Sequence, residues 1–287
     1  MIPAEFDYVA PTTLAEAVAA LGEAGEDAKI LAGGQSLIPV LRLRLAFPTT
    51  LVDLSRISEL RGVTDEGDAL VIGAMTKHSD VMDDPLVQAH APLLAVATST
   101  VADPAVRHRG TFGGALAHAD PAGDLAAVAL ALDAELVAEG PGGRRTIAAK
   151  DFFVDYLETS LSPDEILAAV RVPKLPAGTW GVRYEKFNRV AQAWAIVGVA
   201  AAVRMEGGAV AEARIGLTNM GSTPVRPAQV EAALVGASDK AAITAACASV
   251  ADGLNPPSDL GGQADYRAHL ARVLTARAVA TAAGMTS

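Results

Sequence analysis

The sequence predicts an α+β protein in three parts, and three observations carry that prediction. Near the N-terminus an amphipathic helix with a capping box lies among short apolar runs. After Leu60 an acidic, glycine-containing turn separates two apolar runs. Beyond Gly178 the strands come first and the helices follow, which is the order of an α+β layer rather than of an alternating α/β sheet.

The elements follow in order. In "TTLAEAVAAL" Thr13 and Glu16 form a capping box, and Leu14, Val18 and Leu21 fall on one helical face. "AKILAGG" reads as a buried strand ending in a glycine turn, and "TTLVDLS" as another strand, which makes residues 1–58 a small βαβ unit. Between them "SLIPVLRLRL" reads two ways. Leu41, Leu43 and Leu45 alternate with Arg42 and Arg44 as in a strand, whereas Pro39 suits the first turn of a helix. Residues 59–176 form a second unit. It contains a hairpin in "GVTDEGDALVIGAM", helices from Ser79 to Ala102, a glycine-rich loop, an apolar helix running into a strand, and a last strand before Leu175. Residues 177–287 give three strands, with a hairpin turn at Gly207–Gly208. Helical runs then extend from Arg226 to Gly236, Lys240 to Leu254 and Ala264 to Ala283.

Composition excludes several functions. The formal net charge of the 287 residues is −10, against the basic surface of a nucleic-acid binder. No apolar run approaches the roughly 20 residues of a membrane span, and "MIPAEFDY" lacks the pattern of a secretory signal, so a cytoplasmic location is expected. The single cysteine, Cys247, cannot hold an iron–sulfur cluster or a structural zinc. His78, His90, His108, His118 and His269 show no metal-binding spacing; His78, His90 and His269 read as surface or structural. No serine–histidine–aspartate set suggests hydrolysis.

Two glycine segments remain. "ILAGGQS" fits neither the P-loop nor the dinucleotide fingerprint, and alone it reads as a turn. "GTFGGALAHADPAGD" repeats the paired glycines in the second unit. Thr111 offers a hydroxyl, and the glycines let backbone N–H groups point at an anion. Asp120 and Asp124 can accept from ribose hydroxyls or fix the loop through its N–H groups. His118 lies inside this segment. Two such loops, one per unit, suit a ligand with two phosphates.

Together "AGGQSLIPVLRLRL" and "RHRGTFGGALAHADPAGD" resemble the two flavin-binding loops of the FAD-carrying medium subunits of molybdenum hydroxylases, and most closely those that serve aerobic carbon monoxide oxidation. "SPDEILAAVRVP" and "YEKFNRVAQAWAIVGVA" come next, in the family's order. The resemblance implies a two-part FAD-binding domain, the small βαβ unit plus the larger α+β unit, followed by a C-terminal antiparallel sheet with helices. It implies that Ala32, Gly33, Gly34, Gln35, Ser36 and Leu37 wrap the pyrophosphate and ribitol. Thr111, Gly113, Gly114, Ala117, His118, Asp120 and Asp124 would hold the second side, with Leu167 and Trp194 against the isoalloxazine and Lys186 beside it. Residue type alone suggests otherwise for three of these: a core leucine at Leu167, a solvated strand charge at Lys186, and sheet–helix packing for Trp194. Gln35 stands where histidine is common in the family, Phe112 where isoleucine is, and Trp194 where tyrosine often occurs.

The implied role is electron transfer. A large molybdenum-binding subunit would oxidise the substrate, a small subunit with two [2Fe–2S] clusters would relay the electrons, and FAD on this chain would pass them to a quinone. Catalytic and metal-ligating residues are accordingly not expected here. The implied assembly is a dimer of heterotrimers, in the cytoplasm or at the inner face of the membrane through the complex. Medium subunits of nicotine-, quinoline- and xanthine-type hydroxylases share the loops. A self-contained flavin reductase and a cofactor-free scaffold are the alternatives from other classes.

Overall fold

The computed structural model describes residues 2–285. Asp7–Val9, Thr50–Asp53 and Ala28–Leu31 form a parallel sheet with Thr50–Asp53 in the middle. Helix Leu14–Ala24 connects the first two strands in sequence. Its capping box is present: Glu16 N donates to Thr13 Oγ1 at 3.2 Å, and the Glu16 carboxylate accepts from Thr13 N at 3.2 Å. Leu14, Val18 and Leu21 bury against Val52, Leu54 and Ile57.

The ambiguous stretch is a helix, Leu37–Arg42. It ends in a paired-hydrogen-bond cap, with Arg44 N donating to Leu41 O and Leu45 N to Val40 O, both at 3.0 Å. Arg44 takes φ 56°, a position glycine usually fills. The alternation of leucines therefore marks no strand face. Leu41 is buried, but Leu43 and Leu45 are 57% and 72% exposed.

The second sheet has five antiparallel strands in the order Val63–Asp65, Ala69–Gly73, Ile166–Pro173, Glu135–Gly140, Gly143–Ala148. Its core includes Leu70, Ile72, Leu136 and Val170 with Leu94, Phe112, Leu116 and Leu125 from neighbouring helices. The glycine-rich stretch expected as a loop contains a helix, Phe112–His118, because Thr111 caps it. A small hairpin, Phe153–Asp155 with Glu158–Thr159, was not legible in sequence; its turn places Leu157, not glycine, at φ 58°.

The third sheet pairs Trp180–Phe187, Val197–Glu206 and Ala209–Thr218 antiparallel. Gly207 and Gly208 both have positive φ, 58° and 84°, as a two-residue hairpin of this twist requires. Helix Ala264–Ala282 and helix Asp124–Ala131 both pack on this sheet at close backbone distance. A β-carbon on Gly181 would lie 1.8 Å from Ala282 O, and one on Gly216 would lie 2.0 Å from Ala127 O. All eight residues of Asp124–Ala131 are buried, because this helix has the second unit on one side and the third sheet on the other. It is the element that fixes the third sheet next to the second glycine segment.

Candidate cofactor-binding site

Strand Ala28–Leu31 delivers the chain into Ala32–Ser36, which crosses the second glycine segment at contact distance. A β-carbon on Gly33 would fall 2.4 Å from Arg109 O and 2.6 Å from Gly110 Cα, and one on Gly114 would lie 3.2 Å from Ala32 Cβ. Gly33 is thus required by the neighbouring backbone, whatever else approaches it. Gly34 has φ 72°.

Among the described residues, the backbone N–H groups of Gly33, Gly34, Gln35 and Ser36 have no acceptor within the chain. The carbonyls here are engaged: Gly34 O accepts from Ile38 N at 3.1 Å, and Gly33 O accepts from Gln35 Nε2 at 3.1 Å. Ser36 precedes the helix that begins at Leu37, and its hydroxyl makes no cap bond. Four consecutive free amides before a helix are donors available to an anion.

The second segment differs. Phe112 N donates to Thr76 O at 2.9 Å, Gly113 N to Ala74 O at 2.9 Å, and Gly114 N to Thr111 Oγ1 at 3.2 Å. The expectation that these glycines aim several amides at a ligand is corrected: the amides hold the helix entrance onto Gly73–Thr76. Gly113 is glycine because a β-carbon there would lie 2.4 Å from Ala74 Cβ. Ala117 is exposed and His118 half-buried at the far end of the helix. Asp120 fixes the following turn, accepting from Ala122 N through Oδ1 at 2.8 Å and from Gly123 N through its carbonyl at 2.8 Å. His78 lies beneath this segment. Its N–H donates to Gly110 O at 3.0 Å, and its ring is buried with Nδ1 unpartnered. Burial, and to a lesser extent the charge of Arg107, lower its pKa to about 4.

Two residues expected at the ligand are also bonded to each other within the chain. Asp124 is buried, with Oδ1 accepting from Tyr184 OH at 2.6 Å and Oδ2 from Lys186 Nζ at 2.7 Å; Lys186 also donates to Thr100 O at 3.0 Å. Both carboxylate oxygens are therefore engaged by the third sheet. The Lys186 ammonium is paired there with the Asp124 carboxylate. Burial raises the Asp124 pKa, against the opposing pull of Lys186 and Tyr184. Burial first, and then the Asp124 charge, hold the Tyr184 phenol well above its usual range. Leu167 is only 4% exposed, in the core of the second sheet, as its residue type alone suggested.

Trp194 is 53% exposed and so is not core packing; a β-carbon on Gly123 would lie 3.9 Å from its Cζ3. The indole thus lies beside the turn that Asp120 fixes. Asn219, unremarkable in sequence, joins these parts. Its N–H donates to Pro121 O at 2.7 Å and its Nδ2 to Ala195 O at 2.9 Å. Arg267 is buried and donates to Ile196 O. Neither residue carried a signal in sequence, since a polar residue at a strand end and an arginine in a helix are both ordinary. The cavity of about 350 Å³ lined by Met82, Gln88, Pro92, Val96 and Ser99 is lined by none of these residues.

Residues 4–175 match the family described as the FAD binding domain in molybdopterin dehydrogenase, and residues 182–282 match the CO dehydrogenase flavoprotein C-terminal domain. The chain belongs to the FAD-binding medium chains of the molybdenum hydroxylase family. It is an oxidoreductase subunit whose cofactor is FAD. This medium chain is 45% identical to the carbon monoxide dehydrogenase medium chain of Hydrogenophaga pseudoflava, over 97% of each chain. It is 37% identical to a subunit of the 6-hydroxypseudooxynicotine dehydrogenase complex of Paenarthrobacter nicotinovorans, over 98% of this chain and 96% of that one. A solved carbon monoxide dehydrogenase structure from H. pseudoflava, lacking the Mo-pyranopterin moiety, matches over all of both chains with TM-score 0.96. The residues of this medium chain fit FAD: the free amides of Gly33–Ser36 suit a pyrophosphate, and the exposed face of Trp194 suits an aromatic ring. Among the described residues, no cluster of histidine, cysteine and carboxylate side chains could hold a metal, and no helix is long and apolar enough to cross a membrane.

Proposed function

We propose that this chain is the electron-transfer subunit of a carbon monoxide dehydrogenase complex, taking electrons from [2Fe–2S] clusters on a small partner and delivering them to a quinone. The observation that supports this best is the run of four free amides at Gly33–Ser36, set against Arg109–Gly114 in a chain 45% identical to a carbon monoxide dehydrogenase medium chain. When bound, FAD supplies the redox chemistry, receiving electrons from one carrier and giving them to another. This chain's residues bind and orient it.

In this reading the units are 1–58, 59–176 and 177–287, and the complex is a cytoplasmic dimer of heterotrimers, with molybdenum on a large subunit. Ala32, Gly33, Gly34, Gln35, Ser36 and Leu37 hold the pyrophosphate. Thr111, Gly113 and Gly114 form the opposing wall by packing rather than through free amides. Ala117, His118 and the Asp120 turn border the site, and Trp194 lies against the ring. A second reading is a nicotine-type hydroxylase complex, favoured by the 37% identity to the 6-hydroxypseudooxynicotine dehydrogenase subunit.

The test is to purify the native complex, record its flavin absorption and cofactor mass, and follow quinone reduction with carbon monoxide as donor. Flavin bleaching by carbon monoxide supports the proposal. A complex without flavin overturns the cofactor role. Flavin bleached by an N-heterocycle and not by carbon monoxide gives the second reading.

A further inference from the structure

The loop between strands Trp180–Phe187 and Val197–Glu206 carries Trp194, and it is closed at its base where Ile196 N donates to Phe187 O at 2.8 Å. Exposure changes abruptly along it. Val190 and Trp194 are 64% and 53% exposed, whereas Ala195 and Ile196 are 2% and 6% exposed. The carbonyls of those two buried residues are held by two separate elements. Asn219, at the end of strand Ala209–Thr218, donates through Nδ2 to Ala195 O at 2.9 Å and to Ile196 O at 3.3 Å. Arg267, in helix Ala264–Ala282, donates to Ile196 O through Nη1 and to the Asp259 carboxylate through Nη2. Asp259 Oδ1 also accepts from Gly261 N at 2.6 Å and from Gly262 N at 3.2 Å, while Gly261 O accepts from Arg189 of the loop at 3.4 Å. The Arg267 side chain is 1% exposed and that of Asp259 is 53% exposed; among the described residues, Arg267 Nε is buried without a partner. Stability alone favours an apolar side chain over a buried guanidinium whose counter-charge stands half in solvent. The guanidinium sits instead where the root of the Trp194 loop needs a donor.

We infer that Arg267 is a positioning residue for the flavin ring: by holding the Ile196 carbonyl from the last helix, it fixes where the Trp194 indole stands. This inference rests on the proposed placement of Trp194 against the ring. Trp194 is the first exposed residue beyond the anchored pair Ala195 and Ile196, so the origin of its side chain moves with the peptide that Arg267 and Asn219 grip. The turn beside the indole is tied to the same anchor, because Asn219 N donates to Pro121 O at 2.7 Å. An aromatic side chain held in place before the ligand arrives loses less freedom when a ring stacks on it, and affinity rises accordingly. Arg267 reaches the cofactor only through this chain of contacts and does not touch it.

The test is a double-mutant cycle on the full chain in its native complex, with FAD removed and titrated back by flavin fluorescence. Arg267→Met is expected to weaken FAD binding about three- to tenfold, no more than Trp194→Ala does. In the Trp194→Ala background the same change is expected to alter affinity by less than about twofold, because the side chain it acts through is gone. A merely structural arginine weakens binding equally in both backgrounds, and that result overturns the inference, as does unchanged affinity of Arg267→Met. Asp259→Ala serves where Arg267→Met does not fold, since it alters a half-exposed side chain and frees the guanidinium from its turn. It is expected to weaken binding about twofold, again only where Trp194 is present. No weakening, or the same weakening without Trp194, overturns the inference. Unchanged affinity of Trp194→Ala by itself removes the placement of the indole against the ring and the inference with it, whereas equal weakening in both backgrounds leaves that placement standing.

Discussion

The two glycine segments have the same look in sequence and do different things. In Gly33–Ser36 the backbone donors are left free, while in Thr111–Gly114 the donors of Phe112, Gly113 and Gly114 are taken up by Thr76, Ala74 and Thr111. The first is a cradle, and the second is a wall whose glycines exist so that three backbones can meet. Paired glycines thus report close approach, and only the fate of the amides tells whether a ligand or the chain itself is being approached.

The largest expected effect that tests this contrast is at the buried pair behind the wall. Lys186→Met leaves the Asp124 carboxylate uncompensated in a site where both side chains are less than a tenth exposed, and is expected to cost about 3–5 kcal/mol at neutral pH by denaturant unfolding. Burial already raises the Asp124 pKa, so the loss is expected to shrink as the pH falls and the carboxyl takes a proton. A loss independent of pH would place the cost elsewhere.

Valine substitutions come next. Gly113→Val collides with Ala74 and is expected to destabilise the fold by about 3 kcal/mol, with flavin lost only as the protein unfolds. Gly33→Val pushes the cradle away from Arg109 O and is expected to release FAD at temperatures where circular dichroism still reports a folded chain. If the two variants lose flavin and structure in the same order, the distinction between cradle and wall fails.

His78 sharpens the comparison through pH. Buried neutral beneath Gly110, it has a folded pKa of about 4 against an ordinary value of 6.5, so the unfolded chain binds its proton first as the pH falls. Its contribution is fully present above pH 6.5 and is lost between 6.5 and 4, up to about 3 kcal/mol. His78→Leu is expected to flatten the stability profile in that window, measured by urea unfolding at several pH values.

The smallest effect is at Trp194. As an exposed indole beside the Asp120 turn, its replacement by alanine is expected to change stability by less than about 0.5 kcal/mol. FAD affinity is expected to weaken about three- to tenfold, the size of one aromatic contact, as read by flavin fluorescence titration. Unchanged affinity would remove the tryptophan from the site.

Much of the fold was legible because its signals are local. The capping box at Thr13 and Glu16, the apolar face of Leu14, Val18 and Leu21, and the paired glycines at 207 and 208 each depend on residues within a turn or two. The pair of glycine segments was legible as a recurring pattern. Contacts made across the chain could not be read. Asp124 is 60 and 62 residues from Tyr184 and Lys186, and the hydrogen bonds that hold its carboxylate exist only once the fold brings them together. Leu43 and Leu45 mimicked a strand because alternation records only which side chains are apolar, not whether anything covers them.

The sequence by itself determined the α+β class, most of the elements and the two segments that mark an FAD-binding medium chain, because short-range propensity, capping and turn chemistry are properties of neighbouring residues. Only the tertiary structure decided which amides stay free, that Lys186 neutralises Asp124 in the interior, and that Leu43 and Leu45 stay uncovered. Those outcomes depend on which distant atoms arrive at bonding distance, and hydrogen-bond acceptors, counter-charges and covering side chains are supplied by the fold.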